Sequence, residues 1–468
     1  MLATHLGELL GANPPGVGEA LDVVAGFDRA LVDGFGRLGE DGTAALAALA
    51  GALGGSPLGG PAAEAAEKIA AGSVADAHLA ALAGGRAALL GAVHDALLAH
   101  LDTALGRSRA GFAPGGDVPA AAPNLLAGCR SWLAELAIAG WRGVDHDLVS
   151  ASDQAIEALL AEPALRRQAV LLDGLAAELR ACSPVATMAE IPARRWADLW
   201  TRGVLLAQPG GTASERETAT APARETVTGR LLLLGVDVHE HGTAVQVQAH
   251  WLLEPDGDGP HRTVRTSASA AKVDTIAGPA VWRVLADRPV LLRALAEQRA
   301  VQVDGVALAG GDLLWEEDKA RLGFVADPFA TARLHLAGAV AAAVPPLERH
   351  PARIGEPVFL ENYTVDGASL RLGEHALEID MDRFPACGPL TPDLVTASSA
   401  CIGLVRWDAG RWALQPLAVQ ATVKKKQVDA HNGDWALGPT DPKVEKAMAR
   451  SGDTVLVLQE RAGRLLRA

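Results

Sequence analysis

The sequence is poor in aromatics, cysteine and lysine, and each shortage removes a class of protein. Aromatic residues are 4% of 468, with one Tyr and seven Phe, so Leu, Val, Ala and ten Trp must build the cores. The four cysteines, Cys129, Cys182, Cys387 and Cys401, form no C-x-x-C pair. That spacing speaks against a zinc ribbon or a disulfide framework and fits a reducing cytosol. Net charge is −14, which opposes general attraction to nucleic acid or to an anionic membrane, because both need a positive field over the contact. Long hydrophobic runs are missing too. MLATHLGELLGANPPG at the start lacks the basic region of a signal peptide, and LHLAGAVAAAVPPL (334–347) is too short to span a bilayer. The expectation is a soluble, cytoplasmic chain.

Signatures of nucleotide and acyl-transfer chemistry are also lacking. Neither G-x-x-x-x-G-K-[ST] nor G-x-S-x-G occurs. GFGRLG (34–39) matches the dinucleotide pattern, but it follows LDVVAGFDRALVD, a helix candidate, where a phosphate loop needs a strand.

What is present is globular patterning, with 49% hydrophobic and 21% charged residues in a chain longer than one core usually supports. Apolar spacings of three and four run through residues 1–207, as in ASDQAIEALLAEPALRRQAVLLDGLAAELRA, where Ser152 and Asp153 are candidate caps. PARRWADLWTRGVLLA sets Trp196, Leu199 and Trp200 on one helical face, which reads as core. Gly/Pro-rich segments at 51–61 and 111–123 should break this half into several helices. QPGGTASERETATAPARE (208–225) is polar and aperiodic, and reads as a linker. Beyond it the period falls to two: TVTGRLLLLGVDV, AVQVQAHWLL, RAVQVDGVAL, PVFLENYTVDGASLRL, CIGLVRW, RWALQPLAVQATV and DTVLVL read as strands. GPAVWRVL, PVLLRALAEQ, DPFATARLHLAGAVAAAV and PKVEKAMARS read as helices. The expected fold is α+β and multidomain: an all-α N-terminal helical domain (1–207), the linker, an α+β domain (226–345) and a β-rich C-terminal domain (346–468), with mostly antiparallel strands.

GVDVHEHGTAVQVQAHW (235–251) concentrates the candidate metal ligands Asp237, His239 and His241, which alternate onto one side of a strand. Three ligands on one strand span about 13 Å, too far for one tetrahedral site without a bend. HGT reads better as a hairpin tip, with Val245, Val247, Ala249 and Trp251 inward and Gln246, Gln248 and His250 outward. His250 then lies roughly 25 Å beyond the tip along its strand. Lys424, Lys425 and Lys426 hold three of the chain's eight lysines, and suit either protection of a strand edge or contact with phosphate or an acidic partner. Trp407 and Trp412 flank a DAG turn and should pair across a hairpin, as a structural pair unless exposed. The acidic runs holding Glu316, Glu317 and Asp318 (313–320) and EHALEIDMDRF (374–384) offer paired carboxylates but read as solvated strand ends, and ASSAC, with Ser398, Ser399 and Cys401, reads as a small-residue turn.

RRWADLWTRGVLLA, GVDVHEHGTAVQVQAHWLLE, SAAKVDTIAGPAVWRVL and GGDLLWEEDKARLGF, over about 190–325, resemble an uncharacterised actinobacterial family associated with genes for a MoxR-type AAA+ ATPase, a von Willebrand A protein and a SWIM zinc-finger protein. The resemblance implies a non-catalytic component working beside an ATPase. The SWIM pattern itself, C-x-C followed by C-x-H, is absent. Three readings follow. The first is a protein-binding or scaffold component with no cofactor. The second is a metal-dependent or carboxylate hydrolase centred on Asp237, His239 and His241 or on Glu316, Glu317 and Asp318. The third is a nucleic-acid module using the lysine run.

Overall fold

A computed structural model describes residues 1–112, 125–162, 165–208, 224–257, 259–451 and 457. It is α+β and multidomain, helical first and β-rich afterwards, with two mostly antiparallel sheets. Most of the predicted linker, the second Gly/Pro-rich segment beyond Phe112, and DTVLVL apart from Val457 lie outside the described residues.

The helices are α1 (Ala3–Leu9), α2 (Val17–Asp33), α3 (Glu40–Ala52), α4 (Gly59–Ala70), α5 (Asp76–Ala104), α6 (Leu125–Ala139), α7 (His146–Ser150), α8 (Asp153–Ala161), α9 (Arg166–Ala181) and α10 (Ala193–Leu206). Two corners are built alike. α2 and α6 each end at a left-handed glycine, Gly34 (φ 91°) and Gly140 (φ 70°), followed by a buried aromatic, Phe35 or Trp141, on a single 3-10 turn. The two corners meet back to back, and a Cβ on Gly34 would lie 2.7 Å from the Gly140 nitrogen. GFGRLG is therefore a packing corner, whose glycine supplies positive φ and close approach. Ser152 does stand at the N-cap of α8, but its hydroxyl donates to Val149 O and caps nothing. Trp196 and Trp200 are fully buried, as their spacing requires.

α5 joins the layers. Leu79, Leu82 and Ala83 belong to the helical core, whereas Val93, Leu97, Leu101 and Ala104 pack, with Leu6 and Leu9 of α1, into the core of the second sheet. By length and composition α5 could cross a membrane, which the sequence reading passed over. Here Arg86, near its middle, is fully buried and paired.

The first sheet comprises β1 (Arg224–Glu240), β2 (Ala244–Pro255), β3 (Arg262–Ala271), β4 (Arg299–Ala309), β5 (Asp312–Leu313) and β6 (Ala320–Val325). β1 pairs with β2 and β4, β3 with β2 and, in parallel, β5, and β4 with β5 and β6. The order β1-β2-β3-β5-β4 returns to β1, so the sheet closes. A 3-10 turn (Gly278–Leu285) and α11 (Pro289–Ala296) stand between β3 and β4. This is the connectivity of an OB-type Greek-key barrel, whose fifth strand is broken here into β5 and β6. β3 escaped the sequence reading because RTVRTSASAA alternates hydroxyls and alanine with only one large apolar residue.

Glu317, between β5 and β6, accepts from the amides of Val290 and Leu291 and from Trp315 Nε1. It thus satisfies free N–H groups at the start of α11. Glu316 pairs with Lys319. Glu317 is thus bound into the barrel, whereas Glu316 is about 40% exposed and Asp318 is exposed, as expected of solvated strand ends. Glu317→Ala is expected to lower stability by about 1–2 kcal/mol, and Glu317→Gln by less, in urea unfolding followed by Trp fluorescence.

α12 (Pro328–His335) leads to the second sheet. The predicted helix over 327–344 stops there, because Val340 bridges to Arg262 and Ala341 O accepts from Arg109. β7 (Gly355–Glu361), β8 (Thr364–Asp366), β9 (Ser369–Leu372), β10 (His375–Ile379), α13 (Pro392–Thr396), β11 (Ser398–Asp408), β12 (Arg411–Val423) and β13 (Lys426–His431) follow, then α14 (Pro442–Ser451). Their order is β7-β11-β12-β10-β9-β8, with β13 on the far half of β12.

Candidate functional site

The barrel meets the second sheet along the outer face of β1. Val236 and Val238 point into the barrel, so Asp237 points out, toward β11 and β12. A bulge after Leu233 brings Gly235 against Leu417, where a Cβ would stand 2.6 Å from the leucine side chain. That close approach buries Asp237 almost completely.

Three side chains converge on its carboxylate. Gln415 Nε2 donates to Oδ1 (2.7 Å), Arg406 Nη2 donates to Oδ2 (2.8 Å), and His239 Nε2 lies 2.9 Å from Oδ2. Arg406 Nε also donates to Gln415 Oε1, closing the ring of contacts. Burial works against ionisation of Asp237, but the His239 hydrogen bond and the charges of His239 and Arg406 outweigh it. They hold its carboxyl well below the usual carboxylate range. His239 is half exposed and borders a cleft of about 290 Å³ with Glu240, Asp382, Arg383, Phe384 and Gln415.

The sequence candidates therefore separate. Asp237 and His239 come together as a hydrogen-bonded pair. His241 stands in the turn 241–243 between β1 and β2, exposed, with Nδ1 3.3 Å from Thr243 Oγ1. Among the described residues no three His, Cys, Asp or Glu side chains are grouped to hold a metal. His250 is remote from the tip as expected, but in the antiparallel β1–β2 pair it lies opposite Gly235, two residues from Asp237. It points out of the barrel as predicted but is buried, because α5 and β7 cover that end of the face. There His94, Leu98, Gly355 and Glu356 enclose a small cavity of about 40 Å³ with His250, Thr263 and Arg265.

The β2–β3 face, which OB barrels commonly present to oligonucleotides or sugars, keeps Gln246, Gln248, Ser267 and Ser269 in its uncovered part. Trp251 and Trp282 are inside the barrel core, and no aromatic on this face offers a stacking surface for a base.

Trp407 and Trp412 pair as predicted, with ring centroids 5.1 Å apart, and both are buried. Neither shows an open ring face to a ligand. Ser398 donates to Val395 O and shares a hydrogen bond with Tyr363 OH, and burial pushes the Cys401 thiol up. Lys424 (φ 51°) and Lys425 (φ 65°) form the two-residue link between β12 and β13, with Lys426 opening β13. The lysine run is a hairpin tip, where the sequence suggested a strand. Arg406 and Gln415 had no local sequence signal, being 169 and 178 residues from Asp237. Comparison with family models, with curated proteins and with solved structures finds no match to this chain.

Proposed function

We propose that this chain is a non-catalytic, protein-binding component of a bacterial cytosolic multiprotein system. The AAA+ ATPase or von Willebrand A protein implied by the sequence resemblance is the partner class. One observation carries the reading: most of the side chains with chemical potential are engaged inside the fold. Asp237 is held by three partners, Glu317 caps α11, Ser398 is bound to Tyr363, and Cys129, Cys387 and Cys401 are buried. What faces solvent instead is contact chemistry, namely the lysine tip and the exposed apolar side chains Phe324 and Val325 of β6, Leu334 of α12, Val170 and Leu437. Purification of the tagged chain from its host at moderate salt, with cross-linking mass spectrometry, should recover one ATPase or von Willebrand A protein in fixed ratio. Recovery of the chain alone sinks the reading.

A hydrolase remains the second reading, on the strength of His239. An ionised, buried carboxylate beside an imidazole that borders a cleft is an arrangement suited to proton transfer or to metal ligation with Asp237 behind it. This reading predicts stoichiometric zinc or manganese, or ester hydrolysis, lost on His239→Ala and retained on His241→Ala, since His241 points elsewhere. Equal behaviour of the two variants removes it.

A further inference from the structure

We infer that the lysine-tipped β12–β13 hairpin is an arm that engages an acidic protein segment; this deepens, and rests on, the protein-binding role proposed above. From Thr422 to Asp429 every residue except Val423 is exposed, so the hairpin stands clear of the body on both faces. Its two link residues both have positive φ, the pattern of a type I′ turn, for which Asn-Gly is the favoured sequence. Lysine carries a Cβ that this conformation disfavours, and two in succession hold the turn at a cost in stability. A tip selected only for tight turning would not be Lys-Lys. Three of the eight lysines in a chain of net charge −14 are gathered at this one point.

Charge complementarity names an acidic occupant, and the size of the patch favours a peptide over a nucleic acid. A duplex is gripped by a broad positive field contacting many phosphates, whereas this arm carries Gln427, Val428 and Asp429 directly behind its lysines and has no aromatic residue for stacking. Protection of a strand edge, the other use of surface lysine, is better served by lysines along β13 than by lysines in the link.

The test uses the full chain and three forms: wild type, Lys424→Asn/Lys425→Gly, and Lys424→Arg/Lys425→Arg. Binding of a fluorescent oligo-glutamate peptide of about ten residues, and of a DNA duplex of similar length, is followed by anisotropy at about 50 and about 200 mM salt. Wild type should bind the peptide more tightly than the duplex. The Asn-Gly variant should bind the peptide at least about tenfold more weakly while unfolding at higher urea, and the Arg variant should retain affinity. No peptide binding by wild type, equal binding by the Asn-Gly variant, or tighter binding of the duplex each overturns the inference. Failure here is distinct from failure of the protein-binding role: if the Asn-Gly variant still co-purifies with the wild-type partner, the arm is dispensable and the role stands.

Discussion

Asp28→Ala should destabilise the protein by about 3–5 kcal/mol, because it strands a guanidinium that has no access to water. Arg86 is wholly buried at the meeting of α2, α5 and α10. Its Nε and Nη2 donate to the two oxygens of Asp28 at 2.7 and 3.2 Å, and Nη2 also donates to Arg194 O. Nη1 reaches Thr201 Oγ1 at 3.5 Å and lies 3.8 Å from Asp198. The two halves of such a pair are not equivalent. Burial raises the Asp28 pKa, an effect its pairing with Arg86 only partly offsets, so without Arg86 the carboxyl can take up a proton and become neutral. Arg86 has no such escape, since a guanidinium does not deprotonate in proteins. Arg86→Met is therefore expected to cost less than Asp28→Ala, and its cost should shrink as pH falls toward that of carboxyl protonation. The double variant Asp28→Leu/Arg86→Met should be more stable than Asp28→Ala alone, because apolar side chains of similar volume replace the pair without leaving a charge behind. Urea unfolding of the wild type and the three variants checks this; a double variant no more stable than Asp28→Ala would show that the pair is not the unit of stability.

The sequence shows this pair only as two polar positions within helical periodicity, and that limit recurs throughout the molecule. Elements set by local rules were legible. The shift of period after residue 225, the inward row Val245, Val247, Ala249 and Trp251, the hairpin between Trp407 and Trp412 and the buried stripe on α10 all follow from alternation or helical spacing. Features created by packing were not. Closure of the barrel depends on β5, two residues long, and on β3, whose small residues carry little hydrophobic signal. The role of Glu317 depends on α11 ending its approach beside it. At the candidate site, Asp237 and His239 were visible as an i, i+2 pair, but their meaning was set by Arg406 and Gln415 from another sheet. Cover by α5 and β7 likewise converts His250 from a residue expected to face solvent into a buried one.

Acidification should reveal how much of the fold depends on such residues. His250, His350 and His431 are each buried: His250 between barrel, α5 and β7, His350 at the 3-10 turn before β7, near the charges of Asp198, Arg194 and Arg202 of α10, and His431 against Phe329 of α12. Burial lowers their pKa values to about 3, 4 and 4. Attraction to Asp237, to Asp198 and to Asp429 and Asp327, respectively, fails to restore them. The native state thus keeps all three neutral where the unfolded chain, with ordinary values near 6.5, takes up protons. Stability from these groups is full above pH 6.5 and is lost as pH falls through the window down to about 4. At about 1.4 kcal/mol per histidine per unit, the three together cost about 6 kcal/mol between pH 7.5 and 5. Asp434 acts the other way. Burial pushes its carboxyl up to about 6, so the native state gains a proton there on acidification and regains about 1–2 kcal/mol. Asp28, raised in the same direction, adds to that opposition. The net loss should therefore be about 4 kcal/mol, read from urea midpoints across this range, with more than one proton taken up on unfolding near pH 5.5. His250→Gln and His431→Gln should each remove close to one proton from that uptake, and Asp434→Asn should steepen it. A profile flat between pH 7.5 and 5 would mean that the three imidazoles are charged or wet in the native protein, and that these sites are looser than their burial implies. Because these histidines are buried where elements meet, the first acid-induced change should be loosening of those contacts, the barrel's contact with α5 and β7 at His250 among them. Exposure of the Asp237 network to solvent would then precede loss of the helical core.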